Sequence, residues 1–265
     1  MVKNNLFLIL VFFLINVKLF SESKFSHPLR TEPASVYSKI RVNLQATENR
    51  ERNFYEREQN LGLEGEYKFG QYFSINGFLG GRNYEVSGSK SQRGMERYGF
   101  GLKFAREHGD SNFRFSYSGG LKGYSKQSMT YSRSETSNDL FLVKPNIAFG
   151  LGIQKFELVL DASLQTETNS RFNEDDRQDF RRHYTYSASM SYGLGDSFRL
   201  FLESEYREPY NKKIDTKIRS MYVFPGFSYK IYDSGVLALS GQFQLLTENY
   251  SWDRGARLSY FHFFE

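Results

Sequence analysis

IQKFELVLDASLQTE runs from Ile153 to Glu167. From Phe156 onward every second residue is apolar, in the order Phe156, Leu158, Leu160, Ala162 and Leu164. Glu157, Val159, Asp161, Ser163 and Gln165, which alternate with them, are mostly polar. Successive side chains of a strand point to opposite faces, so the stretch predicts a strand with one apolar and one wet face. The fold turns on what the apolar face meets, a second protein layer or lipid.

The same period of two returns from Val36 to the end of the chain and gives twelve strands. Those before the opening stretch are Val36–Thr47, Tyr55–Phe69, Tyr72–Tyr84, Glu96–Arg106, Asn112–Tyr124 and Asp139–Ile153. After it come His183–Leu194, Phe198–Arg207, Lys217–Ile231, Val236–Leu246 and Asp253–Phe264. Short connections such as Glu107–Ser111 and Leu194–Phe198 alternate with long polar ones such as Glu48–Phe54, Glu85–Met95, Ser125–Asn138 and Thr168–Arg182. Strict alternation predicts an up-and-down meander with both termini at the short-turn end. Most runs last about 10–14 residues, enough for the ~9–11 tilted residues that cross a bilayer and beyond the ~5–6 of a soluble strand. Tyr67, Phe69, Tyr72, Phe73, Phe113, Tyr192, Tyr229 and Tyr232 gather beside the short turns, where amphipathic rings suit a lipid–water boundary. Pro145 and Pro225 fall on the apolar parity of two strands sharing the pattern Val-x-Pro-x-apolar-x-aromatic, which predicts a bulge or bend at each.

The first residues read as an export signal. Lys3 precedes the apolar run Leu6–Val17, which is shorter than the ~20 residues of a spanning helix. Residues 1–21 are thus expected to be a removable signal peptide, 22–35 a polar periplasmic lead-in with Pro28 and Pro33, and 36–265 the barrel. Removing Lys3 and Lys18 lowers the formal charge from +5 to +3, too mild for a nucleic-acid partner. The chain has 0 cysteines, which excludes disulfides and thiolate metal sites.

The signal-like start, the alternation over Val36–Phe264 and the aromatic last strand RGARLSYFHFFE together resemble the bacterial outer-membrane β-barrel class. Phe264 is penultimate here, before Glu265, whereas the class prefers an aromatic in the last position. The resemblance implies an all-β transmembrane antiparallel barrel in the cell outer membrane, porin-like, with a final strand read by the outer-membrane assembly machinery. It implies outer-membrane lipid and lipopolysaccharide as surroundings.

Parity places Lys39, Arg41, Arg82, Arg97, Lys103, Arg114 and Arg199 on the inner face, with Glu64, Glu66, Asp161, Glu203 and Glu205 opposing them. Such a lumen is either a narrow channel favouring small anionic solutes or a charge-paired core that conducts little. In the second case the barrel is a structural or adhesive element that binds an external ligand through its loops. Within Thr168–His183 the candidates are Glu174, Asp175, Asp176, Arg181 and Arg182, in a spacing unlike that of a calcium loop. No catalytic residue, metal or cofactor is expected: His183 and Ser187 lie about 13 Å apart along one strand, too far for a nucleophile and its base.

Overall fold

The computed structural model describes residue 31 and residues 33–51, 54–88, 91–110, 112–127, 139–167, 183–209, 219–247 and 252–264. The expected signal peptide and the Glu174, Asp175, Asp176, Arg181 and Arg182 candidates lie outside these residues.

The described chain forms twelve strands: β1 Ser38–Glu51, β2 Phe54–Phe69, β3 Phe73–Val86, β4 Gln92–Gly109, β5 Phe113–Gln127, β6 Asp139–Ile153, β7 Phe156–Glu167, β8 His183–Gly193, β9 Phe198–Pro209, β10 Ser220–Tyr232, β11 Gly235–Thr247 and β12 Trp252–Phe264. Each pairs antiparallel with its sequence neighbours, and β1 pairs with β12 from Ser38↔Phe264 to Arg50↔Trp252, which closes the barrel. Closure satisfies every strand edge without a second layer, the one way a sheet can sit in hydrocarbon. In β7 the expected alternation holds: Glu157, Val159, Asp161 and Ser163 are buried, while Leu160 is exposed on the outer wall.

The outer wall carries an apolar band that includes Leu44, Leu63, Ile75, Leu102, Ile147 and Leu202, all exposed. Toward the short turns it ends in rings, among them Phe69 stacked on Phe73 with centroids 5.9 Å apart and Phe198 on Phe227 at 5.6 Å. A soluble protein rarely exposes so much contiguous apolar surface, and hydrocarbon is what covers it. The short turns are shaped locally. Gly70 and Gly109 take positive φ (65° and 110°), and Asp110 accepts hydrogen bonds from the backbone N–H of Asn112 (2.8 Å) and Phe113 (3.0 Å).

Two sequence expectations need correction. The connections after β1, β3 and β11 shrink to residues 52–53, 87–91 and 248–251, because the strands run on past the apolar band. Where both faces of a wall are wet the hydrophobic period vanishes, yet the ladder continues, so the period underreports strand length. The prolines do face outward, but neither makes a bulge. The β6–β7 ladder passes from Val143↔Thr166 to Asn146↔Ser163, and β10–β11 from Val223↔Phe243 to Gly226↔Ser240, both in unchanged register. Each proline removes a donor and opens a gap in one ladder, while β5 and β9 stay paired opposite it (Leu121↔Pro145, Pro225↔Leu202). The β10–β11 register shifts lie elsewhere: Leu245 of β11 is the extra residue opposite Met221 and Tyr222, and Ile231 of β10 the extra one beside the turn.

Candidate functional site

The interior is built from the wet face of every strand, and the charges expected there pair closely. In the first hairpin, Lys39 and Glu66 are direct cross-strand partners with Nζ 3.1 Å from Oε2, and Arg41 and Glu64 likewise form an ion pair. Ser74 Oγ donates to the second Glu66 oxygen at 2.7 Å. Arg82 reaches Glu58 at 3.0 Å, with its guanidinium 4.6 Å from the Tyr84 ring centroid. Arg97 stands 5.8 Å from the Phe78 ring. Arg207 contacts Glu205 at 2.6 Å. Asp161 accepts from Asn146 Nδ2 at 3.4 Å, and Glu203 is fully buried.

Glu157 is the hub of the short-turn half. Its carboxylate, 0% exposed, takes Arg114 on Oε1 (3.1 Å) and Arg199 on Oε2 (2.8 Å), and Arg199 also donates to Ser191 Oγ at 3.0 Å. Arg114 lies on β5 and Arg199 on β9, each two strands from β7. Two guanidiniums on one carboxylate leave little mobile charge to line a conduit.

Much of the remaining inner surface is apolar, which the parity reading did not anticipate. Phe261 (1% exposed), Phe263 and Ala238 pack with Phe201 and Val236 on the β9–β12 side. Nearer the long-loop end, Tyr124 and Leu142 pack against Phe78. The signal was present in YFHFFE, Tyr260–Glu265, where aromatics occupy both parities. An aromatic on the wet parity of a strand marks packed interior rather than water.

Residues 33–37, just before β1, lie inside the barrel. Of the expected lead-in, residues 22–35, those at 33–35 contact the inner wall. Tyr37 packs edge-on to Phe263 of β12, ring centroids 6.0 Å apart. Lys103 Nζ, from the inner face of β4, donates to the Ser35 carbonyl at 2.7 Å. Ser118 Oγ of β5 donates to the Pro33 carbonyl at 3.5 Å. Ala34 forms a buried cluster with Ala148 of β6 and Val159 of β7. Gly150 makes room for it: a Cβ there would come within 3.2 Å of the Ala34 Cβ and 2.4 Å of Ser116 Oγ. Since β6 and β7 stand half-way round the barrel from β1 and β12, residues 33–37 cross the full width of the lumen as a strap. Lys103, read as a lining charge, lies on the inner face, holds this strap and is 3% exposed.

No protein-family model and no curated protein sequence matches the chain. Solved structures do. The NanC porin superposes with a TM-score of 0.52 at 8% identity, covering 84% of this chain and 98% of that one. The transport unit of the autotransporter AIDA-I from Escherichia coli gives 0.51 at 12%, covering 91% and 94%. At these identities the likeness is one of fold, and it agrees with the closed antiparallel wall: this chain has the fold of the outer-membrane β-barrels.

Proposed function

We propose that the chain is an outer-membrane barrel that is shut at rest, a structural wall carrying extracellular segments rather than a standing pore. The observation that supports this reading is the strap. Residues 33–37 cross the lumen in its short-turn half, fixed at one wall by Tyr37 on Phe263 and at the other by Ala34 on Ala148 and Val159. The aromatic cluster around Phe261 occupies the interior beside it, and the Glu157 pairs add fixed charge nearby. A barrel of twelve strands sits between small, side-chain-filled barrels and the open porins of ~16–18 strands, so one strap suffices to block it.

A second reading, the narrow channel for small anionic solutes, is favoured by one feature. Lys103 donates to the Ser35 carbonyl of the strap, so withdrawal of the strap would turn that ammonium toward the vacated space. Planar-bilayer recording separates the two. The full chain is expected to give no conductance steps, and a variant lacking residues 22–35 is expected to give them. Steps from the intact protein would sink the shut-barrel reading. Silence from both proteins would sink the channel.

A further inference from the structure

We propose that the outer wall of β12–β1–β2–β3, at its long-loop end, is a binding site for a phosphate-bearing acyl lipid of the outer leaflet. The inference rests on the reading that hydrocarbon covers the apolar band. It does not depend on whether the lumen is shut.

Two features meet there. The first is a cluster of guanidiniums on the outside of the barrel. Glu48 is the direct cross-strand partner of both Arg57 on β2 and Arg254 on β12. Arg50 Nε lies 3.2 Å from Glu48 Oε1, Arg57 Nε 3.7 Å from Oε2 and an Arg254 Nη 3.6 Å from Oε1. Three guanidiniums, each with several donors in a planar fork, thus share one carboxylate with two oxygens. Their side chains remain 64%, 52% and 65% exposed, and with Glu85, the cross-strand partner of Arg57 on β3, three guanidiniums face two carboxylates. Arg57 Cζ also lies 5.0 Å from the Tyr55 ring centroid.

The second feature is a groove directly beneath. It holds about 570 Å³ and is bordered by Leu44, Ala46, Leu61, Gly81, Ala256 and Leu258, with the hydrogen-bonded Gln59 and Asn83 at its rim toward Arg57. The small residues make the hollow. Ala46 and Ala256 face each other across the β1–β12 ladder with Gly81 on β3, while the leucines stand up around them. Ala46 is two residues from Glu48 and Ala256 two from Arg254, a step of about 7 Å along a strand. The donors therefore sit one side-chain length above an apolar trough.

That pairing matches the boundary between a phosphate headgroup and its acyl chain. Arginine grips phosphate through two parallel N–H bonds, better than it grips a single shared carboxylate oxygen at 3.6 Å. Basic side chains at a membrane surface are drawn to anionic headgroups. Charge on the lipid face of a barrel is costly at mid-depth and cheap near the interface, so the cluster is tolerable where it lies and nowhere deeper.

The test uses the full-length barrel, delipidated in neutral detergent and titrated with diphosphoryl lipid A, with retained lipid read by native mass spectrometry. Retention of one lipid A per barrel is expected, weakened at least tenfold in Arg57→Gln/Arg254→Gln and equally by removing the lipid's phosphates. Ala46→Phe/Ala256→Phe, which fills the trough but keeps the arginines, is expected to weaken it as well. Inorganic phosphate is expected not to compete. Equal retention by wild type and the arginine variant, or of phosphorylated and dephosphorylated lipid, would overturn the proposal. Competition by free phosphate would overturn it too, since the acyl trough would then contribute nothing. Flotation of the protein with vesicles of neutral lipid checks the underlying membrane reading separately: a barrel that floats but shows no lipid selectivity refutes the site alone.

Discussion

Arg114 and Glu157 meet 3.1 Å apart although a whole strand lies between them. In register, Arg114 of β5 stands opposite Gly152 of β6, and Gly152 stands opposite Glu157 of β7. The bare glycine lets the arginine reach over β6. On the other side Arg199 reaches over β8 past Ser191, another small residue, to the second oxygen of the same carboxylate. Glu157→Ala leaves two guanidiniums without their shared acceptor in a buried place. It is expected to destabilise the barrel by about 3–5 kcal/mol, and Arg199→Ala by less, because Arg114 keeps the carboxylate partnered. Urea unfolding of the purified barrel, followed by loss of heat-modifiable gel mobility, measures both; equal costs for the two variants would refute the hub.

The Phe201 ring lies against Gly226 of the next strand, and a Cβ at Gly226 would come within 2.5 Å of the ring and 2.4 Å of the Leu239 carbonyl oxygen. One of these contacts is backbone, so the clash cannot be relieved by rotating a side chain. Gly226→Ala is expected to cost about 1–3 kcal/mol, as overpacking does. A urea midpoint unchanged from wild type would show that the two strands separate more readily than their close approach implies.

Gln154 takes φ +52° in the turn between β6 and β7, a conformation that costs a side-chain-bearing residue about 1–2 kcal/mol. Gln154→Gly is expected to raise stability by about 0.5–1 kcal/mol, the strain relieved being partly offset by the greater freedom of glycine when unfolded. Gln154→Val, whose branched side chain tolerates the left-handed region worst, is expected to move the midpoint the other way.

Two backbone N–H donors hold the Asp110 carboxyl below its ordinary range. Its folded-state value lies under its unfolded one, so its stabilising effect is present above the unfolded value. That effect is lost as pH falls through the folded value. Carbon-13 titration of the Asp110 carboxyl should give a midpoint below that of a free aspartate, and Asp110→Asn should remove acid sensitivity from this turn. A midpoint at or above the free value would contradict the turn geometry.

The wall was legible from the sequence because it depends on a period of two, and lipid outside with water inside imposes that period on every strand. Leu158, Leu160 and Leu164 against Glu157, Asp161 and Gln165 suffice to orient β7. The partnerships were not legible to the same degree. Lys39 with Glu66 and Arg41 with Glu64 are direct opposites once the first hairpin is registered. Arg114 with Glu157 requires knowing that Gly152 intervenes, which parity within one strand does not report. The strap was the least legible of all. Pro33, Ala34 and Ser35 have no period, and their burial is decided by Lys103, Ser118, Ala148 and Val159, which lie far along the chain.

The strap also sets an order of events. Tyr37 rests on Phe263, at the other end of the barrel sequence, and Ala34 needs β6 and β7 side by side. Contacts of such large sequence separation form late, because the loop they close must first be held by everything between. The residues that leave the ribosome ahead of the barrel are thus the last to find their seat, and a chain stalled before its final strand would leave the cavity unsealed.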